Sequence, residues 1–458
     1  MQDRTMPTTA VAPGIGPPVG RRRRGSAALA ALVVGALLTG CAGDPSESES
    51  APEDSDQAES PGSGAEGPGE GSGEQSGGDA SDDASATDPE AGPSEEGDPD
   101  EEQARPDWPA SSSTGLQPVE TITAGDISPK SVVSSDHGLI ITNNMMYQHN
   151  ITLYDARTHE VVQTLEDTVQ PAEFGLEGYP DTVAGSPVEA TWTADGQHAY
   201  VSNYQLNDGA HRDLGASADD SCTAGDAIRP SFVYRYSVVE QDWDQVIEVG
   251  RVPKFLTLTP DDSRLLVSNW CDASMSVVDT ASGEEIEQIG LNSMPRGIVA
   301  MLDNTTVYAT AMFADEVYAV DLDQGTADVV LRTGSRPRHL VRDAAGEDIY
   351  LTVSGADAVL RLDPESGEVV DRAVTGDEPR SMAISADGSA LHVVNYHEDT
   401  VSKFDAESME EIVRRPTGHH PVGITYDVVT GSVLVANYSG SLSVYDDTGG
   451  APGSLAAD

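Results

Sequence analysis

The sequence predicts an all-β protein, a seven-bladed β-propeller with four-stranded blades, and three observations carry that expectation. Prolines 253, 295, 337, 379 and 421 recur every 42 residues, and a fixed period of this size marks one supersecondary unit copied in tandem. Each interval holds four short apolar runs with turn residues between them, the pattern of short strands rather than helices. Two further copies start at Pro129 and Pro187. The total of seven lies within the usual range of roughly four to eight blades.

The copy that starts at Pro379 illustrates the unit. An apolar stretch follows the proline, then an Asp387-Gly388 turn and a second run, Leu391 to Asn395. A polar loop, an alternating run from Val401 to Asp405, another turn and a last run complete it. The first two copies carry insertions, the longer in the loop at 205–230. The seventh copy lacks a fourth strand, since Ser443 to Asp446 runs into Gly, Pro and Ala. Residues 119–124 read like the fourth strand of the other copies. They are expected to complete the last blade and close the ring, which removes the exposed edges of an open array. The propeller is expected over 116–447, with a disordered tail at 448–458.

The N-terminus reads as a targeting segment. Arg21 to Arg24 form a basic region and Ser26 to Leu37 an apolar one too short to span a bilayer comfortably. Residues 41–115 are built from Gly, Ser, Pro, Glu and Asp with almost no apolar content. Such a chain cannot bury enough surface to offset its ordering entropy, so it reads as a disordered acidic tether.

The formal charge of −53 exceeds what that tether supplies. Residues 108–458 alone carry −36. A field of this sign repels polyanions, which argues against nucleic-acid binding. Salt adaptation and a codon bias toward Arg both fit the acidity. Cys222 and Cys271 fall in second-to-third-strand loops of adjacent blades, on one face. In an oxidising compartment they are expected to form a disulfide.

Two resemblances follow from short motifs. Leu38-Thr39-Gly40-Cys41 resembles the bacterial lipobox. That resemblance implies a lipoprotein signal peptide over 1–40, a diacylglycerol anchor on Cys41 and a location on the outer side of the bacterial cytoplasmic membrane. The second strand repeats Tyr200-Val201-Ser202-Asn203, Leu266-Val267-Ser268-Asn269, Leu434-Val435-Ala436-Asn437 and relatives, with an upstream Asp-Gly turn and a downstream Val-x-x-x-Asp. Over roughly 119–446 this resembles the YVTN β-propeller repeat family. The resemblance implies the propeller fold and leaves function open, because its wider group includes lactonase-like enzymes, quinoprotein-like propellers and surface-layer proteins.

Strand order places every repeat proline on one face, together with the central channel mouth. The residue after the proline is Lys130, Val188, Lys254, Arg296, Arg338, Arg380 and Val422. Five of seven are basic in an acidic domain. One reading is an anion or ligand site at Lys130, Lys254, Arg296, Arg338 and Arg380, where arginine grips carboxylate or phosphate bidentately. The other is structural pairing with loop acids such as Asp315, Glu316, Asp377 and Glu378. His339, His397, His420 and Glu398 are candidates for catalysis or metal binding on the same face, although their spacing matches no metal motif. Covalent haem, zincin, nucleophile-elbow and P-loop motifs are absent from the sequence, and no cofactor is expected beyond the lipid.

The expected function is a membrane-tethered, extracytoplasmic binding module rather than an enzyme. Its partner would be a protein or a small anionic ligand at the proline-face channel mouth. The alternatives are a lactonase-like hydrolase that uses the Arg ring, or the propeller subunit of a redox enzyme.

Overall fold

A computed structural model describes residues 108–208, 212–218 and 220–450. The signal peptide, Cys41, most of the tether and residues 451–458 lie outside these described residues. Seven four-stranded antiparallel sheets follow one another along the chain, and the described residues contain no α-helix. In the sixth blade the strands are Pro379–Ile384, Ala390–Asn395, Thr400–Asp405 and Glu411–Pro416, paired in sequence order. The expected propeller is therefore the observed fold.

Closure occurs as the sequence implied, with its bounds shifted slightly. Gln117–Ile122 pairs antiparallel with Ser441–Asp446 and becomes the outer strand of the seventh blade. The insertions before and within the second blade add three two-residue strands, Thr168–Val169, Val183–Ala184 and Asn207–Asp208, which form a small three-stranded sheet of their own.

Among the described residues seven hydrophobic clusters lie one at each interface between neighbouring blades, and an eighth, around Ile228, Val252, Trp270 and Met312, underlies the second-blade insertion. Leu266 and Met275 of the third blade meet Ile298 and Val307 of the fourth. Leu434 and Leu442 of the seventh meet Val132 and Ile140 of the first. Blades are buried on both faces, which explains why inner strands read as continuous apolar runs rather than alternating ones.

The recurring motif residues hold the blade together. The repeat asparagines Asn143, Asn203, Asn269, Asn395 and Asn437 are fully buried. Asn395 Oδ1 accepts from Gly376 N at 3.0 Å, and its Nδ2 donates to Thr400 Oγ1 and Ser402 Oγ. Asn395 thus joins the loop before the next proline to the third strand as a structural staple. In six of the seven blades an aspartate at or just after the end of the third strand caps the following turn. Asp279, Asp363 and Asp405 each accept the backbone N–H and hydroxyl of a serine three residues on.

Ordered contacts begin before residue 116, where the sequence placed the tether's end. Lys403 is fully buried and donates to Ser112 O at 2.5 Å, Gly115 O at 3.3 Å and Asp447 Oδ1 at 2.5 Å. Ser111 N donates to Asp387 Oδ2, and Leu116 is completely buried. Residues 111–116 are low in apolar content apart from Leu116. Their order comes from backbone carbonyls that satisfy a buried ammonium, which a compositional reading does not detect.

Candidate functional site

The proline face owes its chemistry to a repeated backbone irregularity. In six blades the pairing of first and second strands slips by one residue just after the proline. In the third blade Pro253 faces Asn269 and Phe255 faces Ser268, which leaves Lys254 as the extra residue. A β-bulge re-aims the side chain it carries. Here it turns the residue after the proline toward the axis of the ring.

Lys254, Arg296, Arg338 and Arg380 are carried by four of these bulges, and they converge with Lys130 of the first blade, whose strands pair without a slip. Lys130 lies close enough to Arg296, Arg338 and Arg380 for all three to depress its pKa, which burial in the channel already pushes well below the usual lysine range. Burial likewise lowers the Lys254 pKa to about 7; Asp220 opposes this, and Arg296 and Lys130 add to it. One residue further along the strands, Phe255 and His339 meet edge-to-face across the lumen at 5.2 Å between ring centroids. Gly297 sits between their strands, and a Cβ there would come within 2.6 Å of Arg338 O.

Three acids counter the cations unequally. Asp220, from the second-blade insertion, accepts from Lys254 Nζ and from Tyr204 Oη. Its pKa falls well below the usual carboxylate range: burial pushes it up, but Lys254, Tyr204 and Arg296 outweigh that. Glu378 is bonded to Arg380 Nη2 at 2.5 Å and to His397 Nε2 at 2.9 Å. Glu189 lies two residues after Pro187, beside Arg296 and Lys130, and burial raises its pKa to about 7. Among the described residues Arg296 makes no side-chain hydrogen bond or ion pair. It is a guanidinium at the centre of the cluster with its donors unassigned.

Cys222 and Cys271 are joined by a disulfide with 5.4 Å between Cα atoms. The bond holds the insertion over the third blade, where Trp270 Nε1 donates to Asp220 O at 2.9 Å. Asp220 is thereby fixed above Lys254.

The other sequence candidates separate. His339 Nδ1 accepts from Met382 N at 3.2 Å, and burial, with Arg296 and Arg338, drives its pKa down to about 3. It is a neutral lining group at physiological pH. Glu398 accepts from Arg414 and does not join the histidines. His397 and His420 do approach each other, at 5.9 Å between ring centroids, and His420 stacks on Tyr396. The residues that gather around His420 are His419 and Asp399.

Aromatic partners of the cations were missed by sequence reading, yet they carry a signal. In four blades the repeat asparagine is followed by an aromatic: Tyr204, Trp270, Tyr396 and Tyr438. Each lies on a cation of the ring. Lys254 Nζ is 3.8 Å from the Trp270 ring centroid and 5.6 Å from that of Tyr204. Arg380 lies 3.3 Å from the Tyr396 ring centroid, and Lys130 Nζ donates to Tyr438 Oη at 2.5 Å. Such contacts hold cations in place without neutralising them.

Neither a family model nor a curated protein sequence matches the chain. Solved structures do. A chain of hydrazine synthase from Kuenenia stuttgartiensis superposes with a TM-score of 0.54 and 19% identity, covering 70% of this chain and 96% of that one. A chain of the mitotic checkpoint complex gives 0.57 at 12% identity, covering 73% and 92%. Both neighbours are β-propeller proteins, and at these identities the likeness is one of fold: the chain is a β-propeller.

Proposed function

We propose that this propeller is a binding module that takes an anionic, carboxylate- or phosphate-bearing ligand at the proline-face channel mouth. One observation carries the reading: five cations from five blades meet at the axis of a strongly acidic domain, and Arg296 among them is without an ionic partner. Burial first, and then the neighbouring like charges, disfavour the protonated lysines of the ligand-free state. An arriving anion relieves that repulsion and gains charge-assisted hydrogen bonds. Asp220 illustrates the chemistry, because a carboxylate already rests on Lys254.

The lipobox-like Cys41 and the acidic segment after it support a lipid-tethered, extracytoplasmic module, and the repeat signature supports membership of the YVTN-like propellers. Cys41→Ser is expected to move the protein from the membrane fraction to the soluble one. Retention in the membrane would overturn the lipid anchor and favour a membrane-spanning one.

A second reading, a lactonase-like hydrolase, rests on Glu189. A carboxylate with a pKa near 7 beside Arg296 and Lys130 has the properties of a general base. The test of the main reading is equilibrium binding of sulfate, phosphate and citrate at low and high salt. Arg296→Ala should weaken binding by about 10-fold or more, as expected for loss of a charge-assisted contact. Unchanged affinity would refute the anion site. Turnover of a lactone panel that disappears in Glu189→Gln would favour the hydrolase.

A further inference from the structure

The rim of the same face carries a second cluster that the anion site does not use. Asp399, His419 and His420 each offer a ligand atom, and these atoms all lie within 4.8 Å of one another. We propose that Asp399, His419 and His420 form a site for a borderline divalent transition-metal ion such as Zn2+.

The scaffold for this cluster is a device of the repeat. In successive blades an aspartate in the second-to-third-strand loop accepts the backbone N–H of the residue before the next proline. Asp315 holds Arg336 N, Asp357 holds Glu378 N and Asp399 holds His420 N, at 2.6, 3.0 and 2.7 Å. All six residues have φ between 47° and 56°. The left-handed backbone and the staple therefore belong to the fold and say nothing about a ligand by themselves.

What differs is the chemistry mounted on that scaffold. The two residues before the proline are Ser335-Arg336 and Asp377-Glu378 at the other two positions, and His419-His420 only here. Asp399 uses Oδ1 for the backbone staple, which leaves Oδ2 directed at His419 Nδ1, 3.0 Å away. In the ion-free chain the two imidazoles stack at 3.7 Å between centroids, and His420 is held from its other side by Tyr396 at 4.3 Å, so the exposed His419 ring must turn out of the stack for both ring planes to meet at one ion. Two imidazoles and a carboxylate suit Zn, Cu or Ni, and disfavour the oxygen-seeking Mg and Ca.

Electrostatics agree with the geometry. Partial burial and the neighbouring His419 lower the His420 pKa, which keeps a ring nitrogen available. Partial burial raises the Asp399 pKa, but hydrogen bonds from His419 and His420 N hold it below the usual value. A metal ion would take the place of the hydrogen bond between His419 Nδ1 and Asp399 Oδ2, and because it competes with protons for the imidazoles its binding should weaken in acid. His397 is engaged with Glu378 and lies outside the ligand set. Water would fill the remaining positions, because the side chain of His419 is 63% exposed.

The test uses the full-length chain purified without a polyhistidine tag and stripped with EDTA. Titration with ZnCl2 at pH 7.5, followed by calorimetry, should show one bound ion per chain, while MgCl2 and CaCl2 give none. His419→Ala and His420→Ala should each weaken Zn2+ binding at least about 10-fold, and His397→Ala should leave it within about three-fold. Cu2+ loading should give an EPR spectrum with hyperfine splitting from two imidazole nitrogens in the wild type and one in His419→Ala. Asp399→Asn is a poor probe because Asp399 also holds the loop. Melting in EDTA checks that the histidine variants fold, and exposed His419 is the safer of the two. The proposal is overturned if the wild type binds no stoichiometric Zn2+, or if binding survives His419→Ala unchanged. Anion binding by the metal-free chain reports on the channel site separately.

Discussion

Lys130, Lys254 and Lys403 are the only lysines in the 458-residue chain, and two of them sense Arg296. This makes the electrostatic state of the channel directly measurable. The perturbation is Arg296→Ala, which removes a charge without breaking a hydrogen bond among the described residues. Lys254 has a pKa of about 7 in place of 10.5. That difference corresponds to on the order of 5 kcal/mol favouring the neutral amine. Burial is the largest part and survives the substitution. Arg296 is the leading repulsive charge, so its loss should raise the Lys254 pKa by about half to one pH unit, roughly 0.7–1.4 kcal/mol. Lys130 should move the same way.

The direction for stability follows from linkage. A lysine whose folded pKa is depressed binds its proton less tightly when folded, so it destabilises the fold below pH about 7, and the penalty is relieved as pH rises from there toward 10.5. Arg296→Ala should therefore be more stable than the wild type below pH 7, with the advantage shrinking above it. The assay is a 13C NMR titration of protein labelled at lysine Cε, with Lys403 as the internal control. Saturating phosphate should raise the Lys130 and Lys254 pKa values in the wild type and do so less in the variant. Lysine pKa values that stay within about 0.2 of wild type in Arg296→Ala would refute the convergence of charge on which the site rests.

Three further outcomes are expected. Lys403→Met leaves buried Asp447 with only His392 beside it and should destabilise the fold by about 3–5 kcal/mol in urea unfolding, with partial recovery in Lys403→Met/Asp447→Asn; a loss under about 1 kcal/mol would contradict the latch drawn for residues 111–116. Asp167 is buried, and that burial raises its pKa to about 8, so it contributes stability at low pH that is lost as pH rises from about 4 to 8; the melting-temperature gain of Asp167→Asn over wild type should grow across that window, and a pH-independent difference would count against it. The Cys222–Cys271 bond closes a 49-residue separation, for which chain entropy alone gives about 4 kcal/mol; Cys222→Ser/Cys271→Ser should lose about 2–4 kcal/mol and also weaken the hold of Asp220 on Lys254, read as a fall in the Lys254 pKa.

Much of the site was legible in the sequence because the repeat made positions comparable. The residue after each proline could be compared across blades, and its basic character stood out against an acidic background. The tandem asparagine-aromatic pairs were equally visible, although their contact with the cations was not inferred. His397, Glu398 and His339 show where such reading fails. They share a face with His420, but residence on one face of a propeller spans many ångströms, and only the loop staple at Asp399 decides which groups touch. Glu189 and Asp220 also escaped, the first because its importance depends on what lies across the lumen, the second because an insertion has no counterpart in other blades.

The 42-residue period, the turn chemistry and the displaced first strand were sufficient to determine the fold, since strand length, blade count and ring closure are local and periodic properties of the chain. Tertiary structure decided how the charges combine. The bulge after six of the seven repeat prolines and the closing of the ring bring residues from distant repeats to one axis, where burial and mutual repulsion set their protonation. Those quantities depend on distances between blades, and no stretch of the sequence contains them.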